Sequence, residues 1–175
     1  MRKILFKNFL RKPLTEPGPF SDDPEIAALA GRINFEATRR LGRGLAIREI
    51  DAGSCNGCEL EIQALGNAFY DLERFGLRFV AAPRHADVLL VTGPVTKNMR
   101  EALLRTYEAT PSPKWVIAAG SCAIDGHCFS GSYACVGGVA EILPVDVEIP
   151  GCPPTPLGLL KGLLAVMTAA RGTTA

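Results

Sequence analysis

Hydrophobic positions along this chain follow two alternating periods. Residues 45–51 (LAIREID), 77–81, 87–92 (DVLLVT) and 114–119 (KWVIAA) read as strands. The last two are nearly wholly apolar, as strands buried on both faces of a parallel sheet are. Between them, residues 59–75 place Leu60, Ala64, Leu65, Ala68, Leu72 and Phe75 at helical spacing. Residues 95–108 predict another helix, closed off by Pro111 and Pro113. Residues 145–149 predict a last short strand, and residues 156–169 an apolar helix with Pro156 in its first turn. Alternating strands and helices predict an α/β domain, a mainly parallel sheet with helices on both faces. Right-handed crossovers bring the carboxyl ends of such strands to one edge, where ligands bind.

The first 44 residues differ in character. In residues 1–12 (MRKILFKNFLRK), Ile4, Leu5, Phe6, Phe9 and Leu10 are interleaved with five basic residues. This suits a short amphipathic segment lying on anionic lipid or in a partner's groove. Residues 13–24, with four prolines and a glycine, read as an extended linker. A helix is predicted over 24–31, followed by a basic stretch to residue 44. The expected organisation is therefore a docking extension over 1–44 and a domain over 45–175.

Composition narrows the function classes. Of the 175 residues, 47% are hydrophobic and 21% charged, enough apolar surface for a real core. The apolar stretch 157–170 contains Lys161 and falls short of the roughly 20 residues a membrane span needs. Lys7, Arg11 and Lys12 interrupt the apolar run that a secretory signal requires, so the chain is expected on the cytoplasmic side. Net charge is +1. Residues 1–48 carry ten Lys/Arg against five Asp/Glu; the rest carries nine against thirteen. A generic nucleic-acid binder would be more basic, and no nucleic-acid partner is expected.

Six cysteines carry the candidate chemistry. Cys55 and Cys58 follow the first predicted strand, Cys122 the strand at 114–119, and Cys152 the strand at 145–149. Three strand exits on one edge thus deliver four thiols. Each is flanked by glycine or proline: SCNGC, GSC and GCPP. Glycine lets backbone N–H groups approach sulfur, and a proline after a ligand cysteine recurs in iron–sulfur sites. Zinc also takes four thiolates, though structural zinc commonly joins two CxxC pairs and only one is present here. On the residues alone, an iron–sulfur centre, zinc and unliganded thiols all remain. Cys128 and Cys135 lack a strand exit of this kind and read as small residues near the site, with a redox role open.

These segments resemble a known family. Residues 51–61 (DAGSCNGCELE) resemble the proximal-cluster loop of [NiFe]-hydrogenase small subunits, and residues 120–126 (GSCAIDG) their second cysteine segment. Residues 143–154 (LPVDVEIPGCPP) are similar to the signature of the 20-kDa subunit of respiratory complex I. Complex I carries two adjacent cysteines in its first motif; here Ser54 precedes Cys55, and Cys58 completes a CxxC. The combination resembles the small subunit of group 4, membrane-bound hydrogenases of the formate hydrogenlyase type. Two departures are His127 after Gly126, where a second glycine is usual, and Thr155 after the Cys-Pro-Pro run, where a basic residue is common.

The resemblance implies a flavodoxin-like fold and one [4Fe–4S] cluster ligated by Cys55, Cys58, Cys122 and Cys152. It implies a peripheral subunit beside a hydrogenase-like large subunit, with a ferredoxin-like iron–sulfur subunit and integral membrane subunits as further partners. Electrons would be relayed for proton reduction or H2 oxidation, coupled to ion movement. It also makes Glu59 a candidate for proton transfer, against the simpler role of an acid favoured in a helix's first turn. Glu61 reads as surface, His85 as a loop residue, His127 as a loop residue or a donor to a cluster sulfur, and Asp146 as structural. The alternatives are a quinone-reducing, complex I-like or nickel-free hydrogenase-related subunit, a structural zinc module, and a flavin protein, for which no phosphate loop is present.

Overall fold

The computed structural model describes residues 24–169. The amphipathic segment 1–12 and most of the linker lie outside the described residues. Five parallel strands form the central sheet: β1 (Ala46–Asp51), β2 (Arg78–Phe79), β3 (Val88–Thr92), β5 (Trp115–Ala119) and β7 (Val147–Ile149). Their order is β2-β1-β3-β5-β7. Counting only this sheet's strands, that is the doubly wound 2-1-3-4-5 order of flavodoxin-like folds. The chain reverses direction across the sheet between β1 and β3, which opens a crevice at their carboxyl ends.

Residues alternate between two cores. Val88, Leu90, Trp115 and Ile117 face one side, packed with α1 (Pro24–Leu41), α2 (Gly57–Ala64) and α5 (Pro156–Thr168). Leu89, Val91, Val116 and Ala118 face the other, packed with α3 (Lys97–Ala109) and the short α4 (Ser121–Asp125). All residues of β3 and β5 are buried. Their uninterrupted apolar runs are the consequence of helices on both faces.

The helix predicted over 24–31 runs on to Leu41, and it belongs to the core. Ile26, Leu29, Ala30, Ile33 and Ala37 form one buried stripe that passes straight over Gly31. Arg39 and Arg40 sit in the last turn, where cations suit the helix dipole. Gly42, at φ 69°, donates to the Thr38 carbonyl and ends the helix. The boundary expected at residue 45 therefore does not separate α1 from the sheet it covers.

Two predicted helices are shorter. The 59–75 segment breaks after Ala64, because Asn67 Oδ1 accepts from the Phe69 and Tyr70 N–H groups and turns the chain. A 3-10 turn over Leu72–Phe75 then returns Leu72 to the core. The segment at 95 opens as strand β4 (Val95–Thr96), paired antiparallel with β6 (Cys135–Gly137), before α3 begins.

Candidate metal centre

Each cysteine segment leaves its strand through a hydrogen-bonded turn. Asp51, the last residue of β1, accepts from the Gly53 and Ser54 N–H groups at 2.8 and 2.7 Å. Ser54 Oγ in turn accepts from Asn56 N at 3.1 Å. Cys55 is thereby set in the exposed loop, and Cys58 lies buried in the first turn of α2. After β5, Gly120 N donates to the Ile149 carbonyl and Ser121 N to the Gly151 carbonyl, both at 2.8 Å. These bonds lace the Cys122 segment to the Cys152 segment. Cys122 is buried in α4; Cys152 is exposed.

The four thiols line one cavity of about 80 Å³. Glycine makes the close approach feasible. Gly93, at the end of β3, has φ 71°, and a Cβ there would fall 2.6 Å from Ser54 N. A Cβ on Gly120, at φ 93°, would fall 2.7 Å from Cys58 Sγ. No charged side chain is part of the wall. Burial, then the neighbouring Glu59 and the other three thiols, push Cys58 up to about 12. Burial, then Cys128, Cys152 and Cys55, push Cys122 up to about 11. Binding a cation at these sulfurs must therefore displace protons that burial holds on Cys58 and Cys122.

The donor set fits an iron–sulfur cluster. It consists of four thiols from three strand exits, with backbone close by and no charged side chain in the wall. Among the described residues no group of three or more His, Cys, Asp or Glu side chains is arranged to hold a single metal ion.

Other sequence candidates are placed as follows. Glu59 is 5% exposed, and both its carboxyl oxygens are buried without a hydrogen-bond partner among the described residues. Glu49 lies near it, and its carboxyl is pushed up by burial and by Glu59 and Asp51. Cys128 is exposed, outside the cavity wall, and its neighbourhood helps to keep the Cys122 thiol protonated. Cys135 stands on β6 opposite Thr96, outside the cavity wall. His127 adopts φ 40°, with its N–H donating to Asp125 Oδ1 at 2.8 Å. His85 is an exposed residue of a 3-10 turn. Asp146 is structural: Oδ2 accepts from Val116 N at 2.8 Å, joining β7 to the start of β5 rather than to the cysteine loops. Glu61 is half-buried rather than a fully exposed surface residue. The short α4, which carries Cys122, and strands β4 and β6 had no periodic signal in the sequence, being too short to show one.

Residues 55–166 match the family model for the NADH ubiquinone oxidoreductase 20-kDa subunit, a span that holds all four cavity cysteines. The chain belongs to that family. Formate hydrogenlyase subunit 7 of Escherichia coli (strain K12) is 43% identical over 146 residues, 83% of this chain and 56% of that protein. The chain thus spans little more than half the length of that relative. A Pyrococcus furiosus protein named "Probable membrane-bound hydrogenase subunit" is 46% identical over 127 residues, 73% of this chain and 76% of its own. Among solved structures, a chain of the membrane-bound sulfane sulfur reductase, an archaeal respiratory membrane complex, superposes with a TM-score of 0.64. It is 37% identical, covering 77% of this chain and 73% of that one. The resemblance to hydrogenase and complex I subunits read from the cysteine motifs is borne out, and this 20-kDa family member is an oxidoreductase subunit. No described helix is long and apolar enough to cross a membrane.

Proposed function

We propose that this chain is the electron-transfer subunit of a membrane-bound [NiFe]-hydrogenase complex, with Cys55, Cys58, Cys122 and Cys152 holding one [4Fe–4S] cluster. The observation that carries this reading is the convergence of four thiols, from three strand exits, on one cavity without charged walls. Such a cluster supplies one-electron transfer when bound. The chain's own part is to fix the sulfurs, to keep water from Cys58 and Cys122 by burial, and to give up the thiol protons on loading. Glu59 sits beside Cys58 with no donor facing its carboxyl, and its Oε atoms are the proposed carrier of a proton near the site. The cavity lies at the sheet's carboxyl edge, and the exposed Cys55 and Cys152 mark the side on which a hydrogenase-like large subunit would sit. A ferredoxin-like subunit, integral membrane subunits and a peripheral position on the cytoplasmic side of the membrane complete the reading; it is supported by relatives named as subunits of a formate hydrogenlyase and of a membrane-bound hydrogenase.

One observation favours a second reading. The membrane-bound sulfane sulfur reductase has a chain 37% identical to this one, which favours a nickel-free or complex I-like reading in which electrons pass to quinone or another acceptor. The discriminating experiment is anaerobic purification of the intact complex, with nickel and iron measured per copy of this chain and hydrogen-dependent dye reduction on the same sample. Nickel with hydrogen-dependent reduction is expected. Iron without nickel or hydrogen activity overturns the hydrogenase reading in favour of the second, and absence of iron from this chain overturns both.

A further inference from the structure

Two of the four cavity thiols, Cys55 and Cys152, are exposed, and their loops are held in different ways. The Cys55 loop is tied from within, because Asp51 Oδ1 accepts from the Gly53 and Ser54 N–H groups. The Cys152 segment, PGCPPT, has no such means. Pro150, Pro153 and Pro154 have no N–H to donate. Thr155 Oγ1 accepts from Gly158 N and so serves helix α5. Among the described residues, the hydrogen bonds that reach residues 150–154 all end on one atom, the Gly151 carbonyl oxygen.

Both of those bonds come from Ser121. Its N–H donates to the Gly151 carbonyl at 2.8 Å, and its hydroxyl donates to the same oxygen at 3.2 Å. Ser121 is the first residue of α4, so its N–H has no acceptor inside the helix and is spent on this outward bond. The hydroxyl adds a second tie from a part-buried side chain, and both residues line the thiol cavity. Cys122 directly follows Ser121, and Cys152 directly follows Gly151. The two bonds thus join the residue before one sulfur to the residue before another. Gly151 has φ 136°, and a Cβ there would fall 2.6 Å from Pro154 Cα, so the segment folds closely on itself just past the tie.

We propose that Ser121 is a positioning residue of the metal centre, its hydroxyl latching the Cys152 segment to the Cys122 segment and so setting how well the exposed Cys152 sulfur is kept in place. The inference rests on the reading of Cys122 and Cys152 as cluster ligands. Cys58 and Cys122 lie buried in α2 and α4, and Asp51 fixes the Cys55 loop, so loss of the hydroxyl bears chiefly on Cys152. The backbone bond survives that loss. The segment then still folds back, but it opens locally more often. Each opening exposes the site to water and to competing ligands, so the site still loads iron but holds it less well.

The test uses the intact complex, purified anaerobically with this chain unaltered, as Ser121→Ala and as Ser121→Thr. Release of iron to a ferrous chelator is timed, and hydrogen exchange is followed by mass spectrometry in peptides of this chain. The other subunits are identical in all three samples, so a difference in release belongs to this chain. Ser121→Ala is expected to release iron about two- to tenfold faster, the effect of one lost hydrogen bond. Exchange should rise in the peptide covering residues 147–156 and stay unchanged over residues 51–63. Ser121→Thr, which keeps the hydroxyl, should restore both readouts. Equal release from Ser121→Ala and the unaltered complex overturns the proposal. So does unchanged exchange over 147–156, or a threonine variant that behaves like the alanine one. Failure of the ligand reading shows differently: Cys152→Ala would then retain all its iron, whatever the exchange over 147–156 reports.

Discussion

Gly120 and Cys58 compete for the same space: a Cβ on Gly120 would sit 2.7 Å from Cys58 Sγ. The first residue of the second cysteine segment thus limits the space of a sulfur from the first. Its φ of 93° is a conformation that L side chains rarely adopt, so glycine is required there twice over. Gly120→Ala is expected to cost about 1–3 kcal/mol in backbone strain and to push the Cys58 sulfur out of place. Iron per chain should fall by well over half while circular dichroism still reports an α/β fold. Unchanged iron content would show that Cys58 Sγ has room to shift.

The four cavity cysteines should behave alike and differently from the remaining two. Alanine at Cys55, Cys58, Cys122 or Cys152 is expected to reduce bound iron to background, because each removes one of the converging sulfurs. Alanine at Cys135, whose strand pairs with β4 outside the cavity wall, should leave iron unchanged. Iron content of the purified complex, normalised to protein, checks both arms.

Asp87 ties the entrance of the sheet together. Its Oδ2 accepts from Arg43 Nη1 and from Ala46 N, each at 2.9 Å, and its Oδ1 accepts from Arg43 Nη2 at 2.7 Å. The carboxylate is 4% exposed, whereas Arg43 is half-open to solvent. Asp87→Ala strands the buried Ala46 N–H and unpins the loop from α1 to β1, at an expected cost of about 2–3 kcal/mol. Asp87→Asn keeps an acceptor for Ala46 and should lose about half of that. Urea denaturation midpoints of the two variants measure the difference.

Glu49 makes stability depend on pH in a defined direction. Burial first, then Glu59 and Asp51, push its carboxyl above the ordinary 4.5, against a smaller pull from Arg48. The folded chain therefore keeps this proton to higher pH than the unfolded chain does. In the window above 4.5 the folded state binds more protons, so the stability linked to Glu49 is present at low pH and declines as pH rises through the folded value. Glu49→Gln removes that decline. Melting curves from pH 4 to 7.5 should show the variant gaining on the unaltered chain as pH rises; parallel curves would rule this out.

Helix α5 approaches the sheet through a residue without a side chain. A Cβ on Gly162 would meet Ile149 Cδ1, and the pair is buried between α5 and β7. Gly162→Ala is expected to destabilise by about 1–3 kcal/mol through overpacking. Adding Ile149→Ala, which clears the contact, should recover much of that loss. A double-mutant cycle with no coupling between the two positions would contradict the geometry.

The cysteine motifs and the buried strands were legible because each is local. β3 and β5 are covered on both faces, and that burial appears as an unbroken apolar run within each of them. The rule that parallel strands share a carboxyl edge is enough to bring Cys55, Cys58, Cys122 and Cys152 to one edge of the sheet. Helix α5 was equally plain, with Pro156 at its start and Lys161 its one charged residue.

What sequence did not disclose depends on contacts between distant residues. Apolar periodicity shows that a helix has a greasy face, not what covers it, so α1 looked like part of an extension until its stripe was seen packed against α5 in the shared core. Two-residue strands such as β4 carry no period, and only pairing with β6 some forty residues later makes Val95–Thr96 a strand. The orphaned carboxyl of Glu59 and the closeness of Gly120 to Cys58 Sγ are likewise tertiary facts. The chain's sequence determined which residues are chemically able to form the centre. The crossover topology and the close backbone approach at Gly93 and Gly120 decided which of them meet, because side-chain proximity is set by how the backbone returns through space.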